Sequence, residues 1–130
     1  MTKHELCALA IAARDTAYAP YSAYRVGAAL LTADGKVYTG CNVENASYGA
    51  TICAERTALV KAVSDGAREI AMVAVAGGQA TVNGGFTPCG ICRQTLSEFC
   101  KPDTVVLVAT GETSFDEYRF ADLFPAAFGL

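Results

Sequence analysis

At 130 residues, with 52% apolar and 18% charged side chains, the chain is long enough for one domain with a sizeable core, here residues 1–130. Its net charge of −3, its pI near 5.0 and its scattered lysines and arginines speak against a nucleic-acid polymer as partner. The N-terminal Met1-Thr2-Lys3-His4-Glu5 is charged and lacks the long apolar core of a secretory signal, and the apolar run Leu6–Ala13 stops at Arg14, too short to span a membrane, so a cytoplasmic setting with reduced thiols is expected.

In chain order, Thr2 and Glu5 form a capping box that opens a helix through about Ala17, with Leu6, Leu9, Ala10 and Ala13 as its apolar stripe. Pro20 ends that segment. A strand over Tyr24–Thr32 follows, then the turn Asp34-Gly35 and a returning antiparallel strand over Lys36–Asn42. The polar stretch Asn42–Gly49 reads as the loop leaving that hairpin. A helix from Cys53 to about Ser64 stops at Asp65-Gly66, and Glu69–Ala76 is a buried strand. Gly77–Gly85, with four glycines in nine residues, reads as a flexible loop. A third helix runs from Cys89 to about Cys100, a fourth strand over Thr104–Ala109, and a short fifth around Tyr118–Phe120. A hairpin followed by alternating helices and strands implies an α/β fold, a three-layer α/β/α sandwich on a mixed five-stranded sheet. Cys7 and Cys100 fall in apolar helical patterns and read as core.

Cys53-Ala54-Glu55-Arg56 and Pro88-Cys89-Gly90-Ile91-Cys92 carry the chemistry. Three thiolates suit tetrahedral Zn²⁺ and leave its fourth position for water or substrate, the mark of a catalytic site. Glu55, two residues from Cys53, is placed to meet that water. Both segments open helices, where free N–H groups and the helix dipole favour thiolate. Arg56, in the same first turn, is a candidate donor to the sulfurs. Two other readings stand beside this one. A closed structural zinc site would draw a fourth sulfur from Cys41 or Cys100, and a redox dithiol would use Cys89 and Cys92 alone. The second leaves Cys53 and Glu55 without a role. The order Cys-x-Glu then Pro-Cys-x-x-Cys resembles the zinc deaminases.

The resemblance narrows with further segments: Pro20-Tyr21-Ser22, Val26-Gly27-Ala28-Ala29, Gly40-Cys41-Asn42-Val43-Glu44-Asn45-Ala46-Ser47-Tyr48, Arg93-Gln94 after Cys92, and Leu123-Phe124-Pro125. Together they resemble the small, homotetrameric cytidine deaminases. That resemblance implies one zinc per subunit on Cys53, Cys89 and Cys92, and Glu55 as proton shuttle. It implies hydrolytic deamination of cytidine and deoxycytidine. The Asn42-Val43-Glu44-Asn45-Ala46-Ser47-Tyr48 segment would hold the sugar, with Asn42 and Glu44 binding ribose chiefly at its 3′-hydroxyl. The backbone at Ala54 and Thr87 would read the base edge. Tyr48 and Phe128 would reach a neighbouring subunit's site, so active sites would be shared in a homotetramer. Tyr24 stands where the family usually has Phe stacked on the base; stacking survives, but the hydroxyl needs a partner. A relative acting on another aminated ring, such as the blasticidin deaminases, is the competing enzyme reading, and a zinc-stapled structural domain the non-enzyme one.

Overall fold

A computed structural model describes residues 1–130. The capping box forms at Thr2 and Glu5 and opens α1, Lys3–Ala13. The helix then tightens into one 3₁₀ turn at Arg14–Thr16, short of the expected Ala17, and Arg14 is buried there. β1 (Arg25–Thr32) and β2 (Val37–Cys41) make the expected antiparallel hairpin. After a second 3₁₀ turn at Tyr48–Ala50 come α2 (Ala54–Ser64), β3 (Ile70–Gly78), α3 (Gly90–Ser97), β4 (Cys100–Ala109), β5 (Phe115–Arg119) and α4 (Phe120–Leu123).

The strands form one sheet in the order β2-β1-β3-β4-β5. Only β3 and β4 run parallel; every other pair is antiparallel, so the sheet is mixed. Side chains alternate between faces with the strand period of two. Val26, Ala28, Leu30, Val73, Val75, Val106 and Val108 point to one face and pack against Ala54, Ala58 and Leu59 of α2 and Leu96 of α3. Ala29, Ala74, Ala76, Leu107 and Ala109 point to the other and meet Leu6, Cys7 and Ala10 of α1. Helices therefore cover both faces, which gives the expected three layers. Small residues let α2 lie close on the sheet. A Cβ on Gly40 of β2 would sit 2.5 Å from the Ala58 nitrogen and 2.9 Å from the Ala54 oxygen.

Element bounds differ most from the sequence reading at α3, β4 and β5. α3 ends at Ser97, and Cys100 opens β4 opposite Ile70 instead of closing the helix. The irregular stretch between Cys100 and Val105 explains this. Pro102 has no N–H to offer a ladder, and the pairing skips there while the Thr104 hydroxyl takes over, accepting from Lys101 N at 2.8 Å and donating to Ile70 O at 3.3 Å. The fifth strand is Phe115–Arg119, and Phe120, buried, begins α4 instead. No helix is long and apolar enough to cross a membrane.

Candidate active site

The two Cys-bearing segments stop where α2 and α3 begin, the two helices that cover the same face of the sheet. Cys53 is the residue preceding α2 and Cys89 the residue preceding α3, both extended, so their side chains project beyond the helix ends; Cys92 follows in the first turn of α3. The three sulfurs lie within 4.8 Å of one another, with Cys53 Sγ and Cys89 Sγ 3.6 Å apart. Tetrahedral zinc at bonds of about 2.3 Å sets its sulfurs about 3.8 Å apart, so this donor set fits the ion. Cys41 and Cys100 lie outside the cluster, and the Cys41 thiol instead donates to Thr16 O at 3.4 Å. The closed four-cysteine reading therefore lacks its fourth sulfur.

Electrostatics favour thiolate at Cys53. Hydrogen bonds from Cys92 and then Arg56 outweigh burial and hold the Cys53 thiol down at about 5, while Cys92, donating to it, is pushed up. Arg56 Nη2 lies 3.8 Å from Cys53 Sγ and also donates to Thr51 O at 3.2 Å. Its Nε, buried, has no partner. Glu55 is only 2% exposed, and burial pushes its carboxyl up to about 7. A carboxyl balanced near neutrality can both take and give a proton.

Glu55 forms the floor of a cleft of about 300 Å³ whose walls include Tyr24, Asn42, Glu44, Ala54, Thr87 and two of the cysteines, Cys53 and Cys89. The Tyr24 ring stacks on Phe86, centroids 5.2 Å apart at 28°. Its hydroxyl has found a partner, donating to Asn83 Oδ1 at 3.0 Å. Asn42 is 8% exposed and its head group makes two backbone bonds, leaving one N–H and one lone pair over: Oδ1 accepts from Val26 N at 2.9 Å and Nδ2 donates to Tyr24 O at 2.8 Å. It thus builds the wall by joining the end of β2 to the start of β1. The Glu44 carboxylate accepts from Tyr21 N at 2.9 Å, Ser22 N at 3.1 Å and the Ser22 hydroxyl. These bonds, the Ser22 hydroxyl first, hold its pKa below the usual carboxylate value.

Arg93 fixes the opposite wall. Its guanidinium donates to Pro88 O at 2.7 Å, to Thr87 Oγ1 at 2.8 Å and to Leu123 O, three acceptors on two separate segments. The remaining expected residues sit outside the cleft. Val43 pairs by backbone with Ile52, each N–H at 2.9 Å from the other's carbonyl. Ala46 is exposed in the bend before the second 3₁₀ turn. Tyr48 is 78% exposed, edge-on to Tyr21 at 6.4 Å, over an adjoining depression that shares Glu44 and Thr51. Phe128 is 69% exposed, its carbonyl accepting from Gln94 Nε2 at 3.2 Å. Within one chain neither aromatic enters the cleft.

Sequence reasoning missed Ser22, Val26, Thr51 and Phe86 as wall residues, and Asn83 behind them. Ser22 belongs to the segment Pro20-Tyr21-Ser22, and nothing local in it signals a contact. Phe86 directly follows the glycine run, and an aromatic held there beside Pro88-Cys89 was the available signal.

The family model described as "Cytidine and deoxycytidylate deaminase zinc-binding region" matches residues 1–109. A cytidine deaminase of Halalkalibacterium halodurans is 47% identical over 128 residues, 98% of this chain and 95% of that protein. Among solved structures, the cytidine deaminase of Burkholderia pseudomallei superposes with a TM-score of 0.89 at 49% identity, covering 98% of this chain and 100% of the other. That of Mycobacterium tuberculosis superposes with a TM-score of 0.82 at 39% identity, covering 100% and 99%.

Proposed function

The chain belongs to the family of zinc-dependent cytidine and deoxycytidylate deaminases, and we propose that it hydrolyses the 4-amino group of cytidine and 2′-deoxycytidine, releasing ammonia and uridine or 2′-deoxyuridine. The observation that carries this reading is the buried Glu55 beside three clustered thiols on the floor of a nucleoside-sized cleft. Cys53, Cys89 and Cys92 would hold one zinc ion, which when bound would supply a Lewis acid that makes water nucleophilic near neutral pH.

Glu55 does the proton work. It accepts a proton from the attacking water and delivers it to ring N3, which makes C4 electrophilic. It then takes the proton of the hydroxyl formed at C4 and carries it to the amine, which departs as ammonia and leaves the C4 carbonyl. One carboxyl held near 7 serves both steps, so no second titrating residue is needed. Three thiolates outweigh a divalent ion by one charge. Arg56 and the two helix N-termini offset that excess and keep the metal electrophilic.

Recognition follows from the walls. The pyrimidine packs on the Tyr24 face, already supported by Phe86, and the backbone at Ala54 and Thr87 reads its polar edge. Glu44, kept ionised and oriented by three donors, and Asn42 bind the ribose at its 3′-hydroxyl, the contact that admits both sugars. Val43 and Ala46 shape the same loop by backbone. The 130 residues work as one deaminase domain. The exposed Tyr48 and Phe128 complete a neighbouring subunit's site in a homotetramer. A reducing cytoplasmic setting, in pyrimidine salvage, accords with six free cysteines.

A direct test compares cytidine and deoxycytidine with the same base inside a single-stranded oligonucleotide, followed by ultraviolet absorbance as the 4-amino group is lost. The nucleosides are turned over and the oligonucleotide is not; comparable rates on the oligonucleotide refute the nucleoside reading.

A further inference from the structure

The glycine-rich segment after β3 is not a slack connection. Gly78 bends so tightly that a Cβ there would lie 1.8 Å from Thr81 O, and the chain folds back until Asn83 N donates to Gly77 O at 3.0 Å. Val82, 7% exposed, is buried against Leu6 and Ala10 on the α1 face of the sheet. Arg14, 6% exposed at the end of α1, donates from Nη2 to Gly78 O at 3.0 Å. No carboxylate pairs with Arg14, and its buried Nε has no partner. A buried cation without a counter-charge is costly to keep, and what it does here is hold this bend. The segment so held presents Asn83 to the Tyr24 hydroxyl at 3.0 Å.

We propose that Asn83 is a positioning residue for base recognition: its bond to the Tyr24 hydroxyl tethers the ring on which the pyrimidine packs, with Arg14 anchoring the loop that carries it. This rests on reading the cleft as the cytidine site. The two restraints on Tyr24 are complementary. Stacking on Phe86 fixes the plane of the ring, while a bond at the para position cannot set that plane, because the hydroxyl lies on the ring's own rotation axis. What the tether stops is the swing of the whole ring about χ1, towards or away from the base. Phe at position 24 would stack equally well but would have no tether, so Tyr24 and Asn83 form a matched pair.

The test is a double-mutant cycle on Tyr24→Phe and Asn83→Ala, with Asn83→Asp as the variant that keeps an acceptor. Asn83 is exposed and Tyr24→Phe removes one oxygen, so neither change threatens the fold. Loss of one hydrogen bond predicts that each single variant raises KM for cytidine about threefold to tenfold with kcat within about twofold, and that the double is no worse than either single. Asn83→Asp stays near the unaltered protein. Amide exchange at Asn83 N–H, bonded to Gly77 O, is expected to quicken in Tyr24→Phe as the loop loses its tie. Unchanged KM in the singles, or effects that add in the double, overturn the proposal. Should the unaltered protein not turn over cytidine at all, the functional reading fails instead, and the exchange rate still decides the tether: equal rates with and without the hydroxyl exclude it.

Discussion

Glu55 owes its place to the first turn of α2, which sets it two residues past Cys53 and lining the cleft, with 2% of its surface exposed. Exchanging its carboxyl for an amide keeps size and polarity and removes the proton it moves. Glu55→Gln is therefore expected to bind zinc in full and lose turnover by at least about a hundredfold, read by metal analysis beside the cytidine assay. Cys53→Ala is expected to lose zinc as well. A Glu55→Gln protein without metal would mean that the carboxylate is a ligand and not a shuttle. Asn42 presents a different balance. Its side chain satisfies one backbone donor and one backbone acceptor between β1 and β2, so its removal leaves both without a partner. Asn42→Ala is predicted to lower unfolding stability by about 1–3 kcal/mol in a urea titration in addition to weakening nucleoside binding. A variant with reduced binding and unchanged stability would restrict Asn42 to the substrate.

At the scale of elements, the site depends on two helix starts on one face of the sheet bringing their cysteines together. α2 reaches its position by lying on Gly40, where any side chain would strike the backbone of Ala54 and Ala58. Gly40→Ala must lift the helix that carries Cys53 and Glu55. It is expected to cost about 1–3 kcal/mol in stability and to weaken zinc retention against a chelator, whereas an alanine at exposed Gly49 should do neither. Helix starts, strands and the hairpin were readable because capping, apolar period and turn residues are local signals. Element ends at residues 97–104 were not. The apolar pattern of α3 runs on into β4, and the bulge around Pro102 depends on the Thr104 hydroxyl bonding to Ile70 on the adjacent strand. The held loop at Gly77–Gly85 was unreadable for the same reason: its glycines signal freedom, while its anchors, Arg14 and Tyr24, lie far away in sequence.

For the molecule as a whole, the alternation of the strands and the order of helices were enough to give three layers and a mixed sheet. The grouping of Cys53, Cys89 and Cys92, with Glu55 in the same cleft, was legible from spacing. The walls were legible only in part, since Ser22, Thr51 and Phe86 enter by folding alone. The tail carries its own prediction. Arg93 and Gln94 bond to Leu123 O and Phe128 O, yet the Phe128 side chain is left in solvent. Removing Ala126–Leu130 is expected to raise KM and loosen assembly by light scattering while zinc content holds; a monomeric truncation with full activity would separate the tail from the site. The central claim is that zinc on Cys53, Cys89 and Cys92, working with Glu55, deaminates cytidine. The most direct measurement follows cytidine absorbance and ammonia release with zinc-loaded, chelator-stripped and zinc-restored protein. Matching loss of cytidine and gain of ammonia, abolished by stripping and recovered with about one zinc per chain, is the expected result. Undiminished turnover in the stripped protein, or none in the zinc-loaded one, would contradict it.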